Sequence, residues 1–142
     1  MAEVVYNVAK QRIAAGDLAL DTGDIRALVI ITSKTGASDP DLGTLAAIDA
    51  VGTVAFHSER LILSGLTVTQ DNTNDRVNVD AGNLSFAPAA GVTALALLIY
   101  DNAGAGADSG RFPIAFYDTG FGAGLPMDGG LNITINDFLR VA

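Results

Sequence analysis

From Leu61 to Asp101 the chain runs LILSGLTVTQDNTNDRVNVDAGNLSFAPAAGVTALALLIYD, and two patterns in this stretch restrict the fold more than any other part of the sequence. Leu66 and Val68 alternate with Thr67 and Thr69, and Val77 and Val79 alternate with Asn78 and Asp80. That period of two belongs to strands with one packed and one wet face. Between the two runs lie Asp71, Asn72, Thr73, Asn74 and Asp75, whose short polar side chains bond their own backbone and tolerate left-handed φ, so a hairpin is predicted there. Ala94 to Tyr100 is apolar at nearly every position, which predicts a strand covered on both faces.

The same reasoning extends along the chain. Val5, Val8, Ala9 and Ile13 share a helical face and Gly16 stands as a stop, predicting an amphipathic helix over 3–15. Ile25 to Thr32 reads as a second buried strand in the sheet of Ala94 to Tyr100. Thr44 to Val51 predicts a short helix capped near Thr44, with Leu45 and Ile48 inward. Asn102 to Gly110 predicts a hairpin loop, and Pro113 places the strand after it at an edge or a bulge. Leu131, Ile133 and Ile135 alternate with Asn132, Thr134 and Asn136 as another strand, with Phe138, Leu139 and Val141 packing the carboxyl end. The expected architecture is mainly β: residues 1–142 as one antiparallel β-sandwich of six to eight strands, with 1–16 forming an N-terminal arm and helix.

Totals exclude several classes of function. At 142 residues the chain is long enough for a core without staples. It has no cysteine, hence no disulfide, thiolate metal site or cysteine nucleophile. Its formal charge is −8 and its eight Lys and Arg are scattered singly, which disfavours direct nucleic-acid binding, since that requires clustered cations. The longest apolar run falls far short of the ~20 residues that cross a bilayer, and no signal-peptide pattern opens the chain, so synthesis in the cytoplasm without a membrane anchor is expected.

Catalytic motifs fare poorly. Asp-Thr-Gly occurs at Asp21 and at Asp118, the tripeptide with which aspartic proteases bring two carboxylates onto one proton. The residues after each Gly are Asp24 and Phe121, where those enzymes place a small hydroxyl residue or alanine, so an aspartic-protease-like enzyme is a distant alternative. Asp71, Thr73 and Asp75 resemble the start of a calcium loop, yet Arg76 occupies the obligatory glycine position and Gly82 that of the closing glutamate. His57, the sole histidine, makes neither a triad nor a multi-histidine metal site. No enzymatic activity, cofactor or metal is expected.

Thr119 to Gly130 is a Gly-rich loop that carries Phe121, Leu125 and Met127. Such a cluster is either a contact surface or a lid folded onto the core. Together with the terminal residues Val4, Val5 and Tyr6 it supplies the candidate intersubunit contacts, 1–6 and 119–130.

Motifs along most of the chain resemble a family of small tailed-bacteriophage virion structural proteins, encoded among head and tail genes. Tyr6 to Ile13 matches YNxAKxxI, and Asp24 to Thr32 is similar to DIxxhhhT, where h is apolar, with one additional apolar residue before the Thr. Leu63 to Ala81 matches LxGxTVTxDxxNDRVxhDA, Ile99-Tyr100-Asp101 ends an apolar strand, and Gly129 to Ile133 with Leu139-Arg140 closes the chain. The loop Asn102 to Gly110 is longer than in relatives, and Phe86 stands where a Trp often follows the middle segment. The resemblance implies a non-enzymatic virion protein assembled in the host cytoplasm. Its implied role is a capsid decoration or cement protein, a homotrimer bound to the major capsid protein or other virion subunits. A tail, neck or fibre component is the alternative, and a host-receptor or glycan-binding module ranks third.

Overall fold

Ile25–Ile30 and Ala96–Asp101, the two most apolar runs, lie side by side in the middle of a five-stranded antiparallel sheet, with Leu28 opposite Leu98. The computed structural model describes residues 4–141. In chain order its elements begin with β1 (Val4–Val5), α1 (Asn7–Ala15), β2 (Ile25–Ile30), α2 (Leu45–Asp49), β3 (Leu61–Ile62), β4 (Thr67–Asp71) and β5 (Arg76–Asp80). They continue with β6 (Leu84–Phe86), β7 (Thr93–Ala94), β8 (Ala96–Asp101), β9 (Phe112–Tyr117), β10 (Leu125–Pro126), β11 (Leu131–Ile133) and β12 (Leu139–Val141).

The central sheet has the order β1-β9-β8-β2-β3, and all its pairings are antiparallel. Both of its faces are covered, which is why β2 and β8 show no alternation in sequence. Ile25, Ala27, Val29, Leu97 and Ile99 point to one side, where they meet Val79, Leu84, Phe86, Met127, Leu131, Phe138 and Leu139. Those residues come from three small antiparallel sheets, β12-β5-β4, β11-β6 and β10-β7, and from the loops beside them. Leu28, Ile30, Leu98 and Tyr100 point to the other side, against Tyr6, Ala37, Leu45, Ile48 and Val54. The fold is therefore mainly β and antiparallel, with one short N-terminal helix as expected and α2 covering the second face.

Local chemistry accounts for the element ends. Gly16 takes φ 77° at the end of α1 and gives its N–H to the carbonyls of Arg12 and Ile13, a left-handed cap that only glycine adopts without strain. Thr44 caps α2 by accepting from the Ala47 N–H, as its position predicted. The Asp71 carboxylate accepts from the backbone of Thr73 and Asn74 and so closes the β4–β5 hairpin.

Several expectations need correction. The helix begins at Asn7, not at residue 3, because the β-branched pair Val4-Val5 adds a strand to β9, opposite Phe116 and Ala115. Pro113, by contrast, sits at a bulge, one of the two positions expected of it: Ile99 faces Ala115 and Tyr100 faces Pro113, so Ile114 is the extra residue, and its carbonyl accepts from the Tyr6 N–H. The strand predicted over 131–136 stops at Ile133, after which Ile135 gives its N–H to the side chain of Asn83. Twelve strands rather than six to eight are present among the described residues, because several pairings last only two residues.

Candidate interaction surface

Of the residues expected at intersubunit contacts, the structure places most in the framework. Val4 and Val5 are half-buried in β1. Tyr6 is fully buried, and its hydroxyl donates to the carbonyl oxygen of Ala37. Burial, with Asp39 nearby, raises its pKa, so the phenol keeps the proton that it donates. Phe121 and Met127 lie within the core, and Leu125 is half-buried in β10 opposite Ala94. The loop 119–130 is thus the lid, not the exposed cluster: Met127 exchanges backbone hydrogen bonds with Val92 and Ala89, which pins the segment over the sheet. Gly124 turns there with φ 122°, close against Thr93 and Leu95, where any side chain would collide. Residues 1–3 of the expected contact arm lie outside the described residues.

The catalytic alternatives also receive definite positions. Asp21 is exposed in a turn and accepts from the Thr22 hydroxyl, whereas the Asp118 carboxylate lies 2.7 Å from the Lys34 ammonium. The structure engages the two separately rather than as one proton-sharing pair. His57 Nδ1 accepts from the Glu59 N–H, and the Glu59 carboxylate accepts from the Ala87 N–H, so this trio organises local backbone. Among the described residues no group of three or more His, Asp or Glu side chains is arranged to hold a metal ion, and no helix is long and apolar enough to cross a membrane.

A charged network fastens the loop after β8. Asp108 is held at 2.7 Å by Arg111 and at 3.0 Å by Arg60. Arg111 also donates to Asn102, which in turn donates to Asp24, itself paired with Arg26. The loop whose small residues predicted only a hairpin turn is thereby tied to β2 and to the segment before β3. Hydrogen bonding from Arg26 lowers the pKa of Asp24. At Asp108 burial opposes ionisation, but the bonds from Arg111 and Arg60 outweigh it and the net direction is also down.

A carboxyl that is more acidic folded than unfolded favours folding while ionised. Its contribution is complete above the unfolded value of about 4 and disappears as pH falls through the lower folded value. Unfolding midpoints in urea are accordingly expected to hold from pH 7 to about 5 and to fall below about 4. Asp108→Asn should lower the midpoint at pH 7 and shrink the acid-side drop. A midpoint that already declines between pH 7 and 5 would assign the effect to another group.

What is exposed and apolar lies elsewhere. Ile62 is 64% exposed, Val68 45% and Val141 37%. Val68 and Val141 belong to the β12-β5-β4 sheet and, with Val77, line one depression on its face. A second groove, of about 460 Å³, runs between α1 and β12 and is lined by Val5, Ile13, Ala14 and Leu139 to Val141. Alternation marked Val68 as inward, correctly for its face, but it carries no information on where along the hairpin the core stops. No family model, no curated protein and no solved structure matches the chain.

Proposed function

We propose that this chain is a non-enzymatic structural subunit that works through surface contacts. Its particular role in this reading is that of a tailed-phage virion protein which decorates the capsid exterior. The observation that carries the proposal is where the motifs of the phage resemblance fall. Tyr6, Ala9 and Ile13 anchor the N-terminal segment, Ile25 to Ile30 form the central strand, and Leu63 to Ala81 build the hairpin sheet. The motifs therefore describe a scaffold, as a family defined by a shared architectural part requires, and hold no constellation of reactive groups.

The electrostatics are consistent with a position outside the shell. Arg12, Arg26, Lys34, Arg60, Arg76, Arg111 and Arg140 each pair with an aspartate of the same chain. Their charge is spent internally, which leaves little to neutralise phosphates of a packaged genome. A decoration subunit would bind the major capsid protein by several modest contacts, multiplied by avidity in a homo-oligomer, with a trimer on a capsid three-fold axis as the favoured arrangement.

Mixing the purified protein with capsids that lack it and imaging the particles tests this directly. Added density at regular capsid positions is the expected result and shows the oligomer. Bare capsids would overturn decoration and move the assignment to the neck, tail or fibre.

A further inference from the structure

We infer that the outer edge of β4 is a self-association edge, at which two copies of this chain pair β4 with β4 antiparallel about a two-fold axis. The inference concerns the chain itself and does not depend on the capsid assignment.

β4 ends the order β12-β5-β4, and at five residues it is the longest strand at any sheet edge among the described residues. The edges of the central sheet, β1 and β3, are two residues long. In an antiparallel pair alternate residues turn N–H and C=O away from the partner, so β4 presents a row of such groups to solvent. Proteins normally protect an edge like this with lysine, proline, a bulge or a cover. Thr67, Val68, Thr69 and Gln70 include no charge and no proline, are all exposed, and pair with β5 in unbroken register from Thr67–Asp80 to Asp71–Arg76. The opposite edge of this sheet differs, since β12 has three residues and runs beside α1.

The face below the edge agrees. Val68 stands opposite Val79, which stands opposite Leu139, so one row runs from the buried core to the open edge. Val79 and Leu139 are buried and Val68 is left 45% exposed at the end of the row. A two-fold axis perpendicular to the sheet keeps this face on the same side in both copies, and places Val68 against Val68 of the second copy and Thr67 against Thr69. The apolar row then continues across the junction. Charge is compatible even though the chain carries −8. Asp71 falls opposite Gly65 of the second copy, and the two Asp71 carboxylates stand roughly 20 Å apart, about two Debye lengths at physiological salt. Each is in addition paired with its own Arg76 at 3.0 Å. Because the contact is two-fold it closes on itself, so it links free chains into dimers.

Sedimentation of the full chain over a concentration series tests this, with Val68→Lys, Val68→Glu and their mixture as variants. Val68 is exposed, so both variants should melt like the parent. The expected result is a concentration-dependent association of the parent that weakens at least tenfold in either variant alone, where like charges face each other, and returns when the two are mixed. Amide exchange at the outward-facing N–H groups among Thr67 to Gln70 should slow with rising concentration in the parent and in neither variant alone. A parent that stays unassociated into the millimolar range, a Val68→Lys variant that associates like the parent, or a mixture that fails to recover would each overturn the pairing.

Discussion

Tyr6→Ala is expected to destabilise the fold by about 3–5 kcal/mol, the range for truncating a buried aromatic, and to lower Tm by roughly 10–15 °C for a domain of this size. Two losses combine at this position. The ring is fully buried against Leu28, Tyr100 and the elements that cover the second face of the central sheet. Its hydroxyl satisfies the Ala37 carbonyl, which would otherwise be buried without a donor. The extended backbone that joins β1 to α1, with its N–H on the bulged Ile114 carbonyl, is unchanged by the substitution. Tyr6→Phe separates these contributions, since it keeps the ring and should cost about 1–3 kcal/mol through the orphaned carbonyl. Thermal or urea unfolding reads both. A Tyr6→Ala protein with an unchanged melt and weakened assembly would return Tyr6 to the contact surface where the sequence had placed it.

Phe121→Ala should behave in the same manner, with a loss of about 3 kcal/mol, whereas Leu125→Ala, in the same loop, should cost under about 1 kcal/mol, as substitutions at partly exposed positions do. The difference follows from burial: Phe121 is 7% exposed and packs in the main core, while Leu125 is half-buried at a two-residue strand. Urea unfolding of the two single variants measures it. If both melt like the parent while capsid decoration or oligomer formation fails, the loop is a contact surface and its lid role is secondary.

The two predictions mark where sequence and structure part. Thr44 was legible as a cap and Gly16 as a stop because capping chemistry is completed within one turn of chain. The Asp71 hairpin was legible for the same reason, its carboxylate reaching residues two and three further on. The apolar runs 25–32 and 94–100 identified the central strands, since burial on both faces demands an apolar residue at each step. Phe121 and Met127 were not legible, because a Gly-rich segment with large apolar side chains reads alike as an exposed patch and as a folded-back lid. Arg60, Arg111 and Asp108, a cluster spread over more than fifty positions of sequence, left no local signal.

By itself, then, the sequence determined what short-range chemistry and periodicity determine: a mainly β chain with an N-terminal helix, its principal hairpin, its two central strands, and an absence of clustered cations and of cysteine. Only the tertiary structure decided which apolar residues remain outside. Alternation assigns a side chain to a face, but exposure depends on how far the opposing layer extends, and here that layer ends between Val79, which is buried, and Val68, which is not. The free edge of β4 is a property of the same kind, for a strand lacks a neighbour only once every other strand has found its own.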